Sequence, residues 1–268
     1  MNDAPVMSGA SVQDPPDWDR RFGGLRRLHG PEGYERLRAA RIAVVGVGGV
    51  GSWAVEALAR SGVARLRLID LDQVAESNIN RQIQALDHTL GQAKVVALRD
   101  RIAGIHPGCE VQLIEDFLDE HNLDQCLQPE ALDGVIDCCD QLRAKAAIAA
   151  WGWAHGVPVV TVGAAGGKQQ PQLVEAADLA EVTHDPLLAS LRQRLRQRHG
   201  GARRGAMGVR CVFSREAVRL SQELACDAGA TPTPGMALAC HGYGSSVMVT
   251  ATFGMVAAAQ LTNLLISQ

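Results

Sequence analysis

Residues Gly46-Val47-Gly48-Gly49-Val50-Gly51 spell a G-x-G-G-x-G turn directly after the β-branched run Ile42-Ala43-Val44-Val45. Glycines at Gly46, Gly48, Gly49 and Gly51 let the backbone approach a phosphate closely. A helix opening on them offers free N–H groups and the positive end of its dipole. Asp70 follows Gly46 by 24 residues at the tip of the next apolar run, where a carboxylate accepts from ribose hydroxyls. Strand, glycines, helix and distal acid in this order point to a bound nucleotide and not to an empty tight turn. The glycines alone fit NAD as well as ATP. The continuation is more selective, because Asp72, Asn78, Arg81, Lys94 and Asp140 come next. A dinucleotide gains little from an added arginine, lysine and acid at strand ends. A triphosphate needs cations for about four negative charges and a carboxylate to hold Mg²⁺, so ATP with Mg²⁺ is the better fit.

These side chains need a scaffold that brings strand ends together. Residues 52–61 carry apolar side chains at helical spacing, and short apolar runs at 66–70, 111–114, 135–136 and 157–162 alternate with helical stretches at 92–105 and 141–155. Strands alternating with helices predict an α/β architecture: a doubly wound, mainly parallel sheet of Rossmann-like kind, completed by C-terminal strands and a hydrophobic terminal helix. Residues 1–17 read as a mobile N-terminal arm, residues 18–268 as a single domain, and 20–38 as an arginine-rich helical lead-in.

Composition narrows the classes further. Among 268 residues, 47% are hydrophobic and 21% charged, which excludes a disordered or fibrous chain. The seven cysteines include no CxxC pair and are odd in number, against a disulfide framework or a four-cysteine zinc site. Cys138, Cys139, Cys211 and Cys240 read first as small buried apolar residues. The first 20 residues hold no apolar run, so no secretory signal is expected and cytoplasm is the default. The 41 residues after Asp227 contain no Asp, Glu, Lys or Arg. Within them residues 245–266 are long enough to span a membrane, but their Ser, Thr, Gln and Asn content favours a buried helix of a soluble core or dimer interface. Membrane association is the lesser reading. Residues 186–210 form a basic helix-loop insertion that carries +7 against −10 on the remainder. Leu188, Leu191 and Leu195 make a docking stripe there, which predicts arginines facing outward.

The set Gly46 to Gly51, Asp70-x-Asp72, Asn78-x-x-Arg81-Gln82, Lys94 and Asp140 resembles the ubiquitin-activating-enzyme-like superfamily, the ThiF and MoeB type of adenylating enzymes. Within it the chain most resembles the tRNA threonylcarbamoyladenosine dehydratases, over about residues 21–266. Arg21-Phe22-Gly23-Gly24-Leu25, Gly163-Ala164-Ala165-Gly166-Gly167, Asp185-Pro186-Leu187, Cys211-Val212-Phe213-Ser214 and Thr250-Ala251-Thr252-Phe253-Gly254 support this. The resemblance implies ATP-dependent cyclisation of threonylcarbamoyladenosine next to the anticodon, through adenylation of its threonyl carboxylate, with AMP and pyrophosphate released. It further implies that Asp70 holds the ribose, Asn78 and Arg81 the β- and γ-phosphates, Lys94 the α-phosphate region and Asp140 the magnesium. Asp72 then lies near the reacting centre, and Arg21 reaches the partner's triphosphate across a homodimer. The substrate partner is tRNA and not DNA, and Arg192, Arg194, Arg196, Arg198, Arg203 and Arg204 would steer its phosphates. A monovalent cation, Na⁺ or K⁺, near the Gly163 to Gly167 turn and a cysteine-desulfurase or sulfur-acceptor partner are left open. So is the ring isomer of the product.

The same-fold alternative is adenylation of the C-terminal glycine of a ubiquitin-like sulfur-carrier protein, against which the missing CxxC pairs count. An NAD-dependent oxidoreductase and a non-catalytic tRNA or sulfur-transfer scaffold are the rivals from other classes.

Overall fold

β1 (Arg41–Val45) occupies an interior position of a seven-stranded sheet because every residue after its first is buried on both faces, as a fully covered parallel strand requires. The computed structural model describes residues 16–128, 131–219 and 243–267. Residues 1–15 of the expected arm, Cys226 and Cys240 lie outside the described residues. Ahead of β1, α1 (Trp18–Ala39) begins at Asp17, whose carboxylate accepts from the Arg20 N–H, and it bends at Gly30 and Pro31. The chain continues through α2 (Gly51–Arg60), β2 (Arg65–Ile69), α3 (Lys94–Ile105), β3 (Glu110–Ile114), α4 (Leu123–Leu127), β4 (Gly134–Asp137), α5 (Leu142–His155) and β5 (Val159–Val162). It finishes with β6 (Val174–Asp178), α6 (Pro186–Arg198), β7 (Arg210–Ser214) and α7 (Val247–Ile266).

The strand order is β3-β2-β1-β4-β5-β7-β6, parallel throughout except for β6, which runs antiparallel to β7 at one edge. The doubly wound expectation therefore holds. Successive crossovers move outward from β1 to β3, and the chain then returns to place β4 on the other side of β1. That reversal leaves a crevice beyond the carboxyl ends of β1 and β4, where open α/β sheets bind ligands. Register brings Val45 level with both Ile69 and Asp137, so these three strands end together at the crevice.

One face of the sheet is covered by α2, α3 and α7 through Leu58, Val95, Leu98, Phe253 and Leu261; the other is covered by α4 and α5 through Leu127, Ile148 and Trp151. α7 is the long apolar helix of the sequence, with the length and composition of a membrane span. Its stripe Val249, Phe253, Ala257, Leu261 and Leu265 is buried in the main core, which makes it a core helix. Gly254 lets it lie directly against the glycine turn, since a Cβ there would sit 2.5 Å from the Val50 carbonyl oxygen.

The segment 186–210 docks as expected through Leu188, Leu191 and Leu195, all fully buried. Its arginines do not all face outward. Arg192 donates to the carbonyls of Leu179 and Val182, Arg194 pairs with Glu120 at 3.2 Å, and Arg196 donates to the Ala202 carbonyl. Carbonyls that follow β6 and a carboxylate in the β3–α4 loop hold Arg192 and Arg194 against the body, while Arg196 folds back onto its own segment. Arg198, Arg203 and Arg204 are the exposed ones.

Phe253→Ala should cost about 3–5 kcal/mol of folding stability by opening a cavity where α7 meets the sheet. Denaturant unfolding followed by circular dichroism reads this directly, and a change under 1 kcal/mol would show that α7 is not core.

Candidate active site

The crevice is a cleft of about 390 Å³. It begins at the glycine turn. Gly46 has φ of 78°, and a Cβ there would sit 3.0 Å from the Cys138–Cys139 peptide. A Cβ on Gly51 would stand 1.9 Å from the Gly46 carbonyl oxygen, so the turn closes only with glycine at both ends. α2 starts at Gly51 with no side-chain cap; the Ser52 N–H donates to the Gly48 carbonyl and the Trp53 N–H to the Val50 carbonyl, so the glycine turn itself closes the start of the helix.

Asp70 leaves the end of β2 and accepts from the Val47 N–H at 2.8 Å and the Asp72 N–H at 2.9 Å. The carboxylate is thereby locked onto the turn with lone pairs left for a sugar. Burial raises its pKa above the ordinary value, opposed by Lys94 and by the two N–H groups. Lys94, the first residue of α3, is buried and reaches Asp72 at 2.6 Å. Asn78 is buried and accepts from the Ala75 N–H, which holds the 3₁₀ turn Glu76–Asn78 in place. Arg81 follows that turn. Its carbonyl accepts from the Trp53 indole at 2.9 Å, its stem lies over Gly49, and its guanidinium donates to the Ser77 carbonyl and the Asn80 side chain. Asp140 is exposed in the β4–α5 loop on the far side of the cleft.

Gly46, Gly48, Gly49, Asp70, Asp72, Asn78, Arg81, Lys94 and Asp140 thus line one cleft. Arg21 does not. It lies on α1, where it donates to the Ile105 carbonyl at 2.7 Å and stacks on Trp18. The arginines of α6 are also outside, although the start of that helix, Pro186 and Leu187, forms a wall of the cleft.

Cys138 and Cys139 border the cleft as protonated thiols; burial pushes Cys138 up to about 12 and Cys139 well above its usual value. Cys211 is buried and likewise raised. These thiols are packing groups. Beside the Gly163 to Gly167 turn sits a fixed cation, the buried Lys168 ammonium, which donates to the Glu216 carbonyl at 2.7 Å.

The cleft also holds residues not expected from the chain alone. Phe117, Leu118, Val218 and Tyr243 are among its lining residues. Asp185, fully enclosed, accepts from the N–H groups of Ala164 and Leu188 and so ties the Gly163 to Gly167 turn to α6. The quoted Asp185-Pro186-Leu187 tripeptide was the signal available for it.

The chemistry of the donors fits ATP. The cleft offers a glycine cradle, a ribose-accepting carboxylate and two cations. Among the described residues no three His, Cys, Asp or Glu cluster as a metal cage. One free carboxylate, Asp140, suits Mg²⁺, which is commonly held by one or two carboxylates plus substrate phosphates.

Fold and site together define an α/β nucleotide-binding domain with a triphosphate-adapted cleft at the sheet's switch point. A family model described as ThiF family matches residues 20–268, and the chain belongs to the ThiF family. It is 43% identical over 245 residues to the tRNA threonylcarbamoyladenosine dehydratase of Escherichia coli strain K12, covering 90% of this chain and 91% of that protein. The crystal structure of the E. coli dehydratase in complex with ATP is similar with a TM-score of 0.82 and 40% identity, covering 93% of this chain and 95% of that one. The molybdopterin-synthase adenylyltransferase of Salmonella typhimurium is 37% identical over 130 residues, covering 48% of this chain and 51% of that protein.

Because burial raises the Asp70 carboxyl, its acceptor capacity is lost on acidification earlier than that of an exposed aspartate. ATP affinity should therefore fall as pH drops through the region just above the normal carboxylate range, and Asp70→Asn should bind weakly with a flatter profile. Calorimetric titration with ATP against pH tests both; an unchanged profile in Asp70→Asn would remove Asp70 from the site.

Proposed function

We propose that this protein uses ATP to dehydrate threonylcarbamoyladenosine in tRNA, closing a ring onto the threonyl carboxyl carbon. The observation that carries this reading is the continuity of the cleft. The glycine turn, Asp70, Arg81, Lys94 and Asp140 line the same cleft as Gly163 to Gly166, Pro186 and Leu187, which leaves room for an acceptor beside the nucleotide. α6 begins at Pro186 and leads to the exposed Arg198, Arg203 and Arg204. The like function of relatives that match this chain almost end to end supports the same reading.

A carboxylate oxygen is a poor leaving group, so ring closure needs it converted first to an acyl adenylate. Asp70 and the glycine turn anchor the nucleotide, and Asn78, Arg81 and Lys94 face its phosphates. Two anions otherwise repel by about 4 kcal/mol at 4 Å in a medium of effective dielectric 20, so positive charge at Arg81 and Lys94 bears directly on rate. Asp140 would hold Mg²⁺, which neutralises phosphate charge and helps pyrophosphate depart. Asp72 keeps the Lys94 ammonium in place at 2.6 Å. The carbamoyl group of the same nucleoside then displaces AMP; that nucleophile is already tethered, so no enzyme thiol need become covalent, in accord with the protonated Cys138 and Cys139.

The functional unit in this reading is a homodimer. Arg21 is exposed outside its own cleft, where it donates to the Ile105 carbonyl, and in this reading it would serve a partner's triphosphate. The reaction belongs in the cytoplasm, where tRNA and ATP meet.

Incubation with tRNA bearing threonylcarbamoyladenosine, ATP and Mg²⁺ should remove one water from the nucleoside by mass spectrometry, with AMP formed stoichiometrically. Arg81→Ala and Asp140→Ala should each lower turnover by about 100-fold or more. AMP formation that requires a ubiquitin-like carrier protein, with no loss of water from the RNA, would establish the alternative. Replacing Arg198, Arg203 and Arg204 together with alanine should weaken tRNA binding and reduce the log–log salt slope by about 3. Co-expressed Arg21→Ala and Arg81→Ala chains, each inactive alone, should recover about a quarter of the normal activity through hybrid dimers; no recovery would place Arg21 outside the site.

A further inference from the structure

Asp137 and Lys145 form an ion pair at 3.1 Å, and both side chains are 0% exposed. Such a pair is hard to explain by stability. Two desolvated ions commonly contribute no more than well-packed apolar residues of the same volume. Its position offers another reason. Asp137 is the last residue of β4, level with Val45, and Asp140 lies three residues beyond it in the loop before α5. One carboxylate oxygen of Asp137 takes the Lys145 ammonium; the other accepts from the Cys139 N–H at 3.1 Å and the Cys139 thiol at 2.9 Å. The Lys145 ammonium also donates to the Asp137 carbonyl, and the Lys145 N–H to the Gln141 carbonyl. The loop that carries Asp140 is therefore pinned at its start by Asp137, in its middle at Cys139 and at its end by the first turn of α5. The pinned Cys138–Cys139 peptide is also the surface on which Gly46 rests.

We propose that Asp137 and Lys145 are a positioning pair: they fix the β4–α5 loop so that the Asp140 carboxylate stands at a set place relative to the glycine turn, and neither touches nucleotide. This rests on the reading of Asp140 as the carboxylate that holds a divalent cation beside ATP. Lys145 stays charged in its enclosure, since burial works against the ammonium but Asp137 overrides that effect. Hydrogen bonds onto a carboxylate-bearing loop act on metal affinity through geometry, typically by 10–100-fold.

Three proteins separate this from a purely structural role. Asp137→Leu/Lys145→Met removes the network but fills the space with apolar atoms. Asp137→Asn/Lys145→Gln removes the charges but keeps an acceptor for the Cys139 N–H, while the Asn NH2 can donate to the Gln side-chain carbonyl. Wild type is the reference. Mn²⁺ binding in the presence of a non-hydrolysable ATP analogue, read by electron paramagnetic resonance, is measured beside thermal unfolding and beside kcat and KM for ATP. The apolar pair should fold at near-normal temperature yet bind Mn²⁺ about 10-fold or more weaker, with kcat falling more than KM rises. The neutral hydrogen-bonded pair should recover most of both. A folded apolar pair with normal Mn²⁺ affinity overturns the proposal, as does a folded neutral pair that has lost Mn²⁺ binding; this second result stands even if the apolar pair fails to fold. Because the Mn²⁺ readout needs no RNA, failure of the dehydratase reaction would show there only as wild type that binds Mn²⁺ and ATP but leaves the nucleoside intact.

Discussion

Gly46 rests on the peptide between Cys138 and Cys139, and that contact sets the geometry of the whole cleft. β1 and β4 are adjacent and in register up to Val45 and Asp137. Beyond that level their chains diverge, one turning toward α2 and the other toward α5, with no room between the two backbones for even a methyl group. A parallel sheet can part in this way only where the order of its strands reverses. Everything chemical follows from the divergence. The glycine turn and Asp70 fall on one lip, Asp140 on the other, and Arg81 and Lys94 enter from the long connection between β2 and α3, which buried Asn78 and the Asp72 pairing hold in shape.

The residues that line the cleft fall into two sets of different chemical character. In the first set polar groups arrive already engaged: Asp70 with two backbone donors, Lys94 with Asp72, Arg81 with Ser77 and Asn80. In the proposed reading Arg81 and Lys94 would exchange these partners for phosphate oxygens. The second set is made instead of small residues and of Leu187, Val218 and Tyr243, surfaces suited to a flat organic group. Asp185 ties the Gly163 to Gly167 turn to the start of the arginine-bearing helix α6 through the Ala164 and Leu188 N–H groups.

Much of this was legible in the chain. Glycine spacing and the β-branched run located the turn, Asp70 came at the expected distance, and Lys94 does open a helix, because each of those features is local and periodic. The outward arginines were the error. Arg194 finds Glu120 from 74 positions away, and Arg192 finds carbonyls at a strand end, partners that no helical wheel contains. Phe117 and Tyr243 also escaped notice, since only the sheet order brings residues so distant in sequence to one crevice. Lys145 was invisible for a different reason: a lysine in an alanine-rich helix ordinarily marks a solvent face, and its buried partner shows only once β4 and α5 are folded together.

α7 packs against α2 and, through Gly254, against the carbonyl of Val50, while Trp53 of α2 holds the Arg81 carbonyl. The floor beneath the glycine turn and Arg81 is thus supplied by residues 247–266. During synthesis the ribosome releases the glycine turn long before the helix it leans on, so a growing chain carries every phosphate-facing group and still lacks a firm seat for them.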